Sequence, residues 1–297
     1  MQEIVTDWLP QNEVTTPLTG EPVFVNSGII KAVMQSGEKI SVGQIDYQEF
    51  AEEEFQYVIS PFWDIIDGLP AWIFQGIPGI NMELRLQSYY RVNYVPVFIT
   101  ERTPSENRED LWELLESVGL DYYDRFEWLL RTDLRAANDN LIVERRRQEK
   151  ITCEYTGQNP KEFQYGDTVV VDTLEELAGN TTEFNNNLFF FATNGINIID
   201  KQGRNLLGAA ERIAVYSVLL AQRKFQEKKK TELQRKGIEE AKLAGKYRGR
   251  KPVDVDEQTL RQVAKELEDK MISVEEAMKR TGIASRSTFY RKLKNIK

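Results

Sequence analysis

The segment KYRGRKP, Lys246 to Pro252, separates two helical parts of the chain and decides how the rest is interpreted. Before it, residues from about Leu206 to Lys246 contain no proline and have a helical pattern. The first half of this helix is apolar enough to predict burial on most sides, and the second half is basic and solvated. The sequence therefore predicts a long helix (205–246) followed by a basic, glycine-containing arm (247–252).

Three short helices are predicted after the arm, over residues 253–297. Ser273 with Glu276 has the spacing of a capping box, and Gly282 is suited to end the same helix. Ser285 is a favourable first residue for the last helix, in which Phe289 and Leu293 would face the core. A short helix, a glycine-containing turn and a third helix predict a helix-turn-helix unit.

Charge is distributed very unevenly along the 297 residues. The net charge is −8, yet residues 223–297 hold 22 Lys/Arg against 12 Asp/Glu, and the other 222 residues hold 17 against 35. An acidic body with a basic tail is typical of a protein that contacts nucleic acid through the tail. We therefore predict double-stranded DNA as the partner.

Composition excludes several kinds of chemistry and location. The chain has no histidine and one cysteine, Cys153, so Ser-His-Asp catalysis, Cys-His catalysis, common zinc sites and internal disulfides are excluded. We predict no metal and no cofactor. The start MQEIVTDWLPQNE lacks the features of a signal peptide, and no apolar run is long enough to span a membrane. These features predict a cytoplasmic protein.

Upstream of the long helix, the pattern predicts an α/β domain over residues 96–204. A buried strand is expected at Val97 to Thr100, then an amphipathic helix from Leu111 to Val118 that ends at Gly119, and helical structure over residues 123–150. GDTVVVDTLEEL predicts a strand, TTEFNNNLFFFATNG a helix and GINIID a further strand, an alternation typical of a parallel sheet. Residues 1–95 are interpreted as an α+β N-terminal extension of unassigned role, with a possible protein partner.

The C-terminal arrangement resembles the small serine recombinases, the resolvase and DNA invertase family. In that family a long helix carries the dimer interface, an arm enters the minor groove and a helix-turn-helix reads the major groove. The resemblance implies a homodimer through the helix near residues 206–225. It implies DNA contacts from the following residues: Lys246, Arg248, Gly249, Arg250, Lys251, Ser285, Arg286, Ser287, Thr288, Tyr290, Arg291 and Lys292.

The resemblance extends upstream to the α/β domain but departs from the family at the catalytic positions. The family uses a serine nucleophile surrounded by arginines, because cations stabilise the charge that develops on the phosphoryl oxygens. Where the family has Leu-Asp-Arg-Leu-Gly-Arg, this chain has LEELAG, which replaces the two arginines by Glu176 and Gly179. The family's arginine on the long helix corresponds to Leu233. These replacements predict a catalytically inactive recombinase-like protein.

The sequence therefore leaves three hypotheses for the function. The first is sequence-specific DNA binding as a dimer, by a regulator or accessory factor of a phage, plasmid or other mobile element. The second is an active recombinase with a displaced nucleophile, Thr103 or Ser105, assisted by Arg102. The third is a structural or partner-binding protein that acts through residues 1–95 and carries a DNA-binding tail.

Overall fold

The computed structural model describes residues 16–244, 246 and 255–294. The chain divides into two compact units, Met1–Phe225 and Gln226–Lys297. The described residues form a mixed α/β protein with one antiparallel sheet and one sheet that is largely parallel. No helix among them is both long and apolar enough to cross a membrane.

The first sheet has five strands in the order β4-β3-β2-β1-β5, and every neighbouring pair is antiparallel. Its strands are β1 (Phe24–Val33), β2 (Lys39–Glu49), β3 (Phe55–Pro61), β4 (Tyr89–Val92) and β5 (Leu141–Arg145). The second half of β1 is buried on both faces, because β2 and β5 flank it and the core covers it. Residues 16–95 supply four of its five strands.

The second sheet has four strands in the order β6-β7-β8-β9, of which the first three are parallel. Its strands are β6 (Thr152–Glu154), β7 (Thr168–Val171), β8 (Asn197–Asp200) and β9 (Asn205–Leu207). A helix between β7 and β8 makes the crossover that a parallel pair requires. The predicted strand, helix and strand over residues 168–200 are confirmed.

The described residues contain nine α-helices. They are α1 (Trp63–Ile66), α2 (Val97–Thr100), α3 (Leu111–Ser117), α4 (Arg125–Arg131), α5 (Thr181–Thr193), α6 (Ala209–Leu243), α7 (Glu257–Glu268), α8 (Val274–Thr281) and α9 (Arg286–Lys294). The amphipathic helix predicted to end at Gly119 is α3, and Gly119 has φ +71°. The three predicted C-terminal helices are α7, α8 and α9.

Two predictions of local structure upstream are wrong. Residues Val97–Thr100 form the single turn of α2 rather than a strand, because Phe98 and Ile99 are buried in the core, and packing outweighs strand propensity. The helix predicted over 123–150 ends at Arg131, and β5 follows it. A short apolar run such as LIV suits a buried strand as well as a helix, and periodicity does not distinguish the two.

The boundary predicted at residues 95/96 does not separate two domains in the structure. Strand β5, from the C-terminal side of that boundary, pairs with β1 through the register Ile30↔Val143. One apolar core contains buried side chains of both sheets and of α5 and α6. The extension and the α/β domain predicted from the sequence are therefore one folded unit.

A buried arginine of α6 ties the two sheets together. Arg212 forms an ion pair with Asp64, donates to the carbonyl oxygen of Gly195 at 2.9 Å and contacts the Oδ1 of Asn197 at 2.5 Å. Tyr165 donates to Asp64 at 2.9 Å and stacks on Phe62 with ring centroids 3.5 Å apart. A charge buried this deeply requires such partners, since desolvation would otherwise be prohibitive.

Helix α6 is shorter and less buried than the sequence predicts. It spans 35 residues, which corresponds to about 52 Å. In its first half one face is buried, by Arg212, Tyr216, Leu219 and Leu220, while Val218 and Phe225 are 67% and 68% exposed. The prediction of burial on most sides is therefore wrong, whereas the solvated second half is confirmed.

Candidate nucleic-acid interface

The three C-terminal helices α7, α8 and α9 have an apolar core of their own. Its buried members are Leu260, Val263, Ala277, Ile283 and Phe289. Phe289 is fully buried and Leu293 is partly buried against the same core, so the side of α9 predicted to face inward does so. The opposite side of α9 is left facing outward.

Side-chain caps fix where these helices begin and end. Asp256 accepts from the backbone N–H of Thr259 at 2.9 Å, and Ser273 accepts from that of Glu276 at 3.2 Å. The hydrogen bonds from Thr259 lower the pKa of Asp256 below its usual value. Gly282 ends α8 with φ +67°, a conformation that suits glycine. The predicted caps at Ser273 and Gly282 are confirmed.

A four-residue connection, 282–285, joins α8 to α9. Ile283 in this connection is buried and anchors it to the core. On the other side, Arg280 of α8 forms an ion pair with Glu266 of α7 at 2.8 Å. The connection therefore holds the start of α9 on the core, and the ion pair links α7 to α8.

Helix α9 and the residue before it present five of the residues predicted to contact DNA. Ser285, Arg286, Ser287, Tyr290 and Arg291 are exposed. Thr288 and Lys292 are half-buried. The hydroxyls of Ser285 and Ser287 lie 3.0 Å apart, at the start of the helix.

The cations of α9 differ from those of the two helices before it. Arg261 on α7 pairs with Glu257 at 2.8 Å, and Arg280 on α8 pairs with two carboxylates. Within the described part of the chain, the basic side chains of α9 form no ion pair. These cations are Arg286, Arg291, Lys292 and Lys294, and α9 contains no acidic residue. An unpaired cation is available to an external anion without the cost of breaking an internal salt bridge.

The predicted minor-groove arm falls largely outside the described residues. Lys246 is described and exposed. Arg248, Gly249, Arg250 and Lys251 lie outside the described ranges, and their predicted role stays a prediction.

The candidate catalytic residues of the second hypothesis differ in burial and in their partners. The side chain of Arg102 is fully buried, forms an ion pair with Asp139 and donates to the carbonyl oxygen of Phe98 at 2.8 Å. The Thr103 hydroxyl is buried as well. Ser105 is exposed and accepts from the backbone N–H of Asn107 at 3.4 Å. Arg102 cannot reach a DNA phosphate while it occupies this internal position.

The loop after β7, where the sequence resemblance predicts a second catalytic loop, is held by carboxylates of this loop and of α5. Glu176 accepts from the backbone N–H of Asp172 at 2.8 Å, and Glu183 accepts from that of Gly179 at 3.2 Å. A cation near the ends of the parallel strands is Lys201, which lies 3.0 Å from both Glu154 and Asp172. These two carboxylates raise the pKa of Lys201 above its usual value. The sequence did not single out Lys201, because its partners are 29 and 47 positions away in the chain.

No protein-family model and no curated protein matches this chain. Within the residues that the structure describes, no group of three His, Cys, Asp or Glu side chains is placed to hold a metal ion.

Proposed function

We propose that this protein binds double-stranded DNA sequence-specifically, with α7, α8 and α9 acting as a helix-turn-helix unit and α9 as its recognition helix. The observation that carries the proposal is the exposed, unpaired cationic side of α9 on a helix whose other side is locked into an apolar core. A helix of this kind fits the major groove, which is wide enough to admit an α-helix.

The first turn of α9 supplies the groups that would distinguish bases. Arg286 can form two hydrogen bonds with a guanine edge, and the hydroxyls of Ser287 and Thr288 can bond to bases or phosphates. Arg291 and Lys292 lie further along the helix, where they would contact the phosphate backbone. Arg and Lys contacts with phosphates contribute affinity and register rather than sequence preference.

The charge distribution favours contact through this end of the chain. Residues 1–222 carry a net charge of −18 and repel DNA, while residues 223–297 carry +10. Arg248 and Arg250 would extend the contact into the minor groove, whose negative potential attracts arginine.

We further propose that the protein acts as a dimer and lacks strand-cleavage activity, as a regulator or accessory factor of a mobile element. The exposed Val218 and Phe225, seven residues apart on α6, support self-association. Glu176, bonded within its own loop, and the fully buried Arg102 support the absence of strand cleavage.

Selection from a random duplex library tests the proposed DNA binding. We expect the full chain to enrich one sequence family, and the Arg286→Ala protein to lose preference for one or more of its base pairs. Arg261→Ala, on α7, serves as the matched control and should enrich the same sequence as the unaltered protein. Enrichment of no sequence, or equal enrichment by Arg286→Ala, would contradict the proposal.

Incubation with supercoiled DNA distinguishes this proposal from the active recombinase. An active enzyme would form a covalent protein–DNA adduct that disappears in Thr103→Ala or Ser105→Ala. We expect no adduct, because Arg102, the cation that this hypothesis requires, is fully buried. The third hypothesis, a partner-binding role for residues 1–95, cannot be tested by deleting them, since they supply four of the five strands of the first sheet.

A further inference from the structure

A cavity of about 410 Å³ lies between the first sheet and α5 in the first unit. The turn between β1 and β2, strand β5 and the end of α5 form its walls. Small-molecule sites in proteins have volumes of about 300–1,000 Å³ and occur where structural layers meet. The position and the size of the cavity are therefore those of a ligand site.

Three lysines converge on this cavity. The Nζ of Lys31 lies 2.7 Å from one oxygen of Glu144, and the Nζ of Lys39 lies 2.7 Å from the other. The Glu144 carboxylate thus pairs with two ammonium groups. A second carboxylate, that of Asp133, is 3.7 Å from Lys39, and its side chain is 74% exposed. The third lysine, Lys161, is exposed and has no ion-pair partner among the described residues.

The other acidic residue of the lining does not cancel this positive charge. Glu38 forms an ion pair with Arg223 of α6, which lies outside the lining. The Ser36 hydroxyl also donates to Glu38, at 2.9 Å. The cavity is therefore a positively charged site in a unit whose overall charge is strongly negative.

The walls of the cavity are held in place without a ligand. Arg223 lies over the Phe189 ring at 3.8 Å and donates to Asn186 at 3.1 Å, so it connects the β1–β2 turn to α5. Gly37 gives this turn a φ of +87°. A site that is already formed binds its ligand without the entropic cost of ordering the walls.

The cavity also offers an apolar surface. The half-buried ring of Phe190 contributes to the lining beside the methylene stems of the lysines. Ammonium groups beside an aromatic ring suit a ligand that joins an anionic group to an apolar body.

We propose that this cavity binds a small phosphate monoester, with its dianionic phosphate between Lys31, Lys39 and Lys161 and its apolar part against Phe190. Each lysine has three N–H donors, and Glu144 takes one from Lys31 and one from Lys39. The remaining donors are available to an acceptor with several oxygens, such as a phosphate. A dianion matches the converging lysines better than a carboxylate does.

Calorimetric titration of the full chain with phenyl phosphate, benzoate and inorganic phosphate tests this proposal. We expect phenyl phosphate to bind about tenfold more tightly than either of the other two. Benzoate binding as tightly as phenyl phosphate would show that the site selects a carboxylate, and would overturn the phosphate assignment. Phenyl phosphate binding no more tightly than inorganic phosphate would overturn the role of Phe190.

Lys161→Gln is the decisive variant, because its exposed side chain has no described partner whose loss would unfold the protein. We expect about a tenfold loss of affinity for phenyl phosphate, the factor typical of one hydrogen bond to a charged group. Lys265→Gln, an exposed lysine of α7, is the matched control and should leave the affinity unchanged. Equal affinities of Lys161→Gln and the unaltered protein, or no binding by the latter at about 10 mM, would refute the site.

Discussion

Replacing Arg102 by methionine should destabilise the first unit strongly. Its guanidinium is fully buried, stacks over Phe98 at 4.1 Å and pairs with Asp139, whose side chain is only 13% exposed. Removal of one partner leaves a buried carboxylate without its cation, which typically costs about 3–5 kcal/mol. Because domains are stable by only about 5–15 kcal/mol, this change removes a large fraction of the free energy of unfolding.

Urea denaturation followed by tryptophan fluorescence measures the effect. Trp128 is buried and donates to the backbone oxygen of Arg102 at 3.2 Å, and it contributes to the signal together with the chain's four other tryptophans. Adding Asp139→Asn to Arg102→Met should recover part of the loss, because the unpaired charge is removed. Arg108→Met, an exposed arginine paired with Asp110, is the control and should have no measurable effect. A midpoint for Arg102→Met equal to that of the unaltered protein would refute the structural role.

Three further changes have defined outcomes. Phe289→Ala should lower the free energy of unfolding of the three C-terminal helices by about 3–5 kcal/mol, because Phe289 is fully buried. Amide hydrogen exchange should then become faster over residues 255–294, while β1–β5 stay protected. Retained protection over 255–294 would contradict this. Glu52→Asn with Glu53→Gly should stabilise the protein by about 1–2 kcal/mol, because both positions have positive φ (66° and 61°), which suits Asn and Gly better than Glu. A thermal midpoint that does not rise would refute this prediction. Burial and Asp64 raise the pKa of Tyr165 to about 12. The contribution of Tyr165 to the free energy of unfolding should therefore be fully present below pH 10 and should fall as the pH rises towards 12. Tyr165→Phe should make that fall shallower, and an unchanged pH profile would contradict the assignment.

The sequence was most informative where local signals determine the structure. Ser273 and Gly282 mark the ends of α8 through caps that involve only neighbouring residues. Over residues 168–200, a turn and a β-branched run predict the first strand, and the next segment is long enough for a helix. These features lie within the segment itself and do not depend on contacts with distant residues. Both predictions are confirmed for that reason.

The predictions failed where distant contacts determine the structure. Pairing of Leu141–Arg145 with β1 makes that segment a strand, and no local feature of the segment reveals a partner more than 100 positions earlier. Arg145, Arg146 and Arg147 lie in the stretch 123–150 that the sequence predicts to be helical. They instead reach Glu127, Gln44 and Asp167, respectively, from the end of β5.

The candidate site residues show the same difference between features determined locally and features determined by distant contacts. The inward side of α9 follows from helical spacing within nine residues, so Phe289 and Leu293 could be predicted from the sequence to face the core. Arg102 was considered as a catalytic cation because it precedes Thr103, but burial against Asp139 gives it a structural role. Lys31, Lys39 and Lys161 are spread over 130 positions, and only the folded sheets bring them to one cavity.

The salt dependence of DNA binding tests the central claim, that α9 contacts DNA, most directly. Fluorescence anisotropy with a labelled duplex of about 30 base pairs should give an affinity that falls steeply with salt concentration. Arg291→Gln should reduce the slope of log K against log salt by about 1, and Arg286→Gln with Arg291→Gln should weaken binding further. Arg261→Gln should match the unaltered protein. Failure of the unaltered protein to bind the duplex at low salt, or an unchanged affinity and slope in the double variant, would contradict the account.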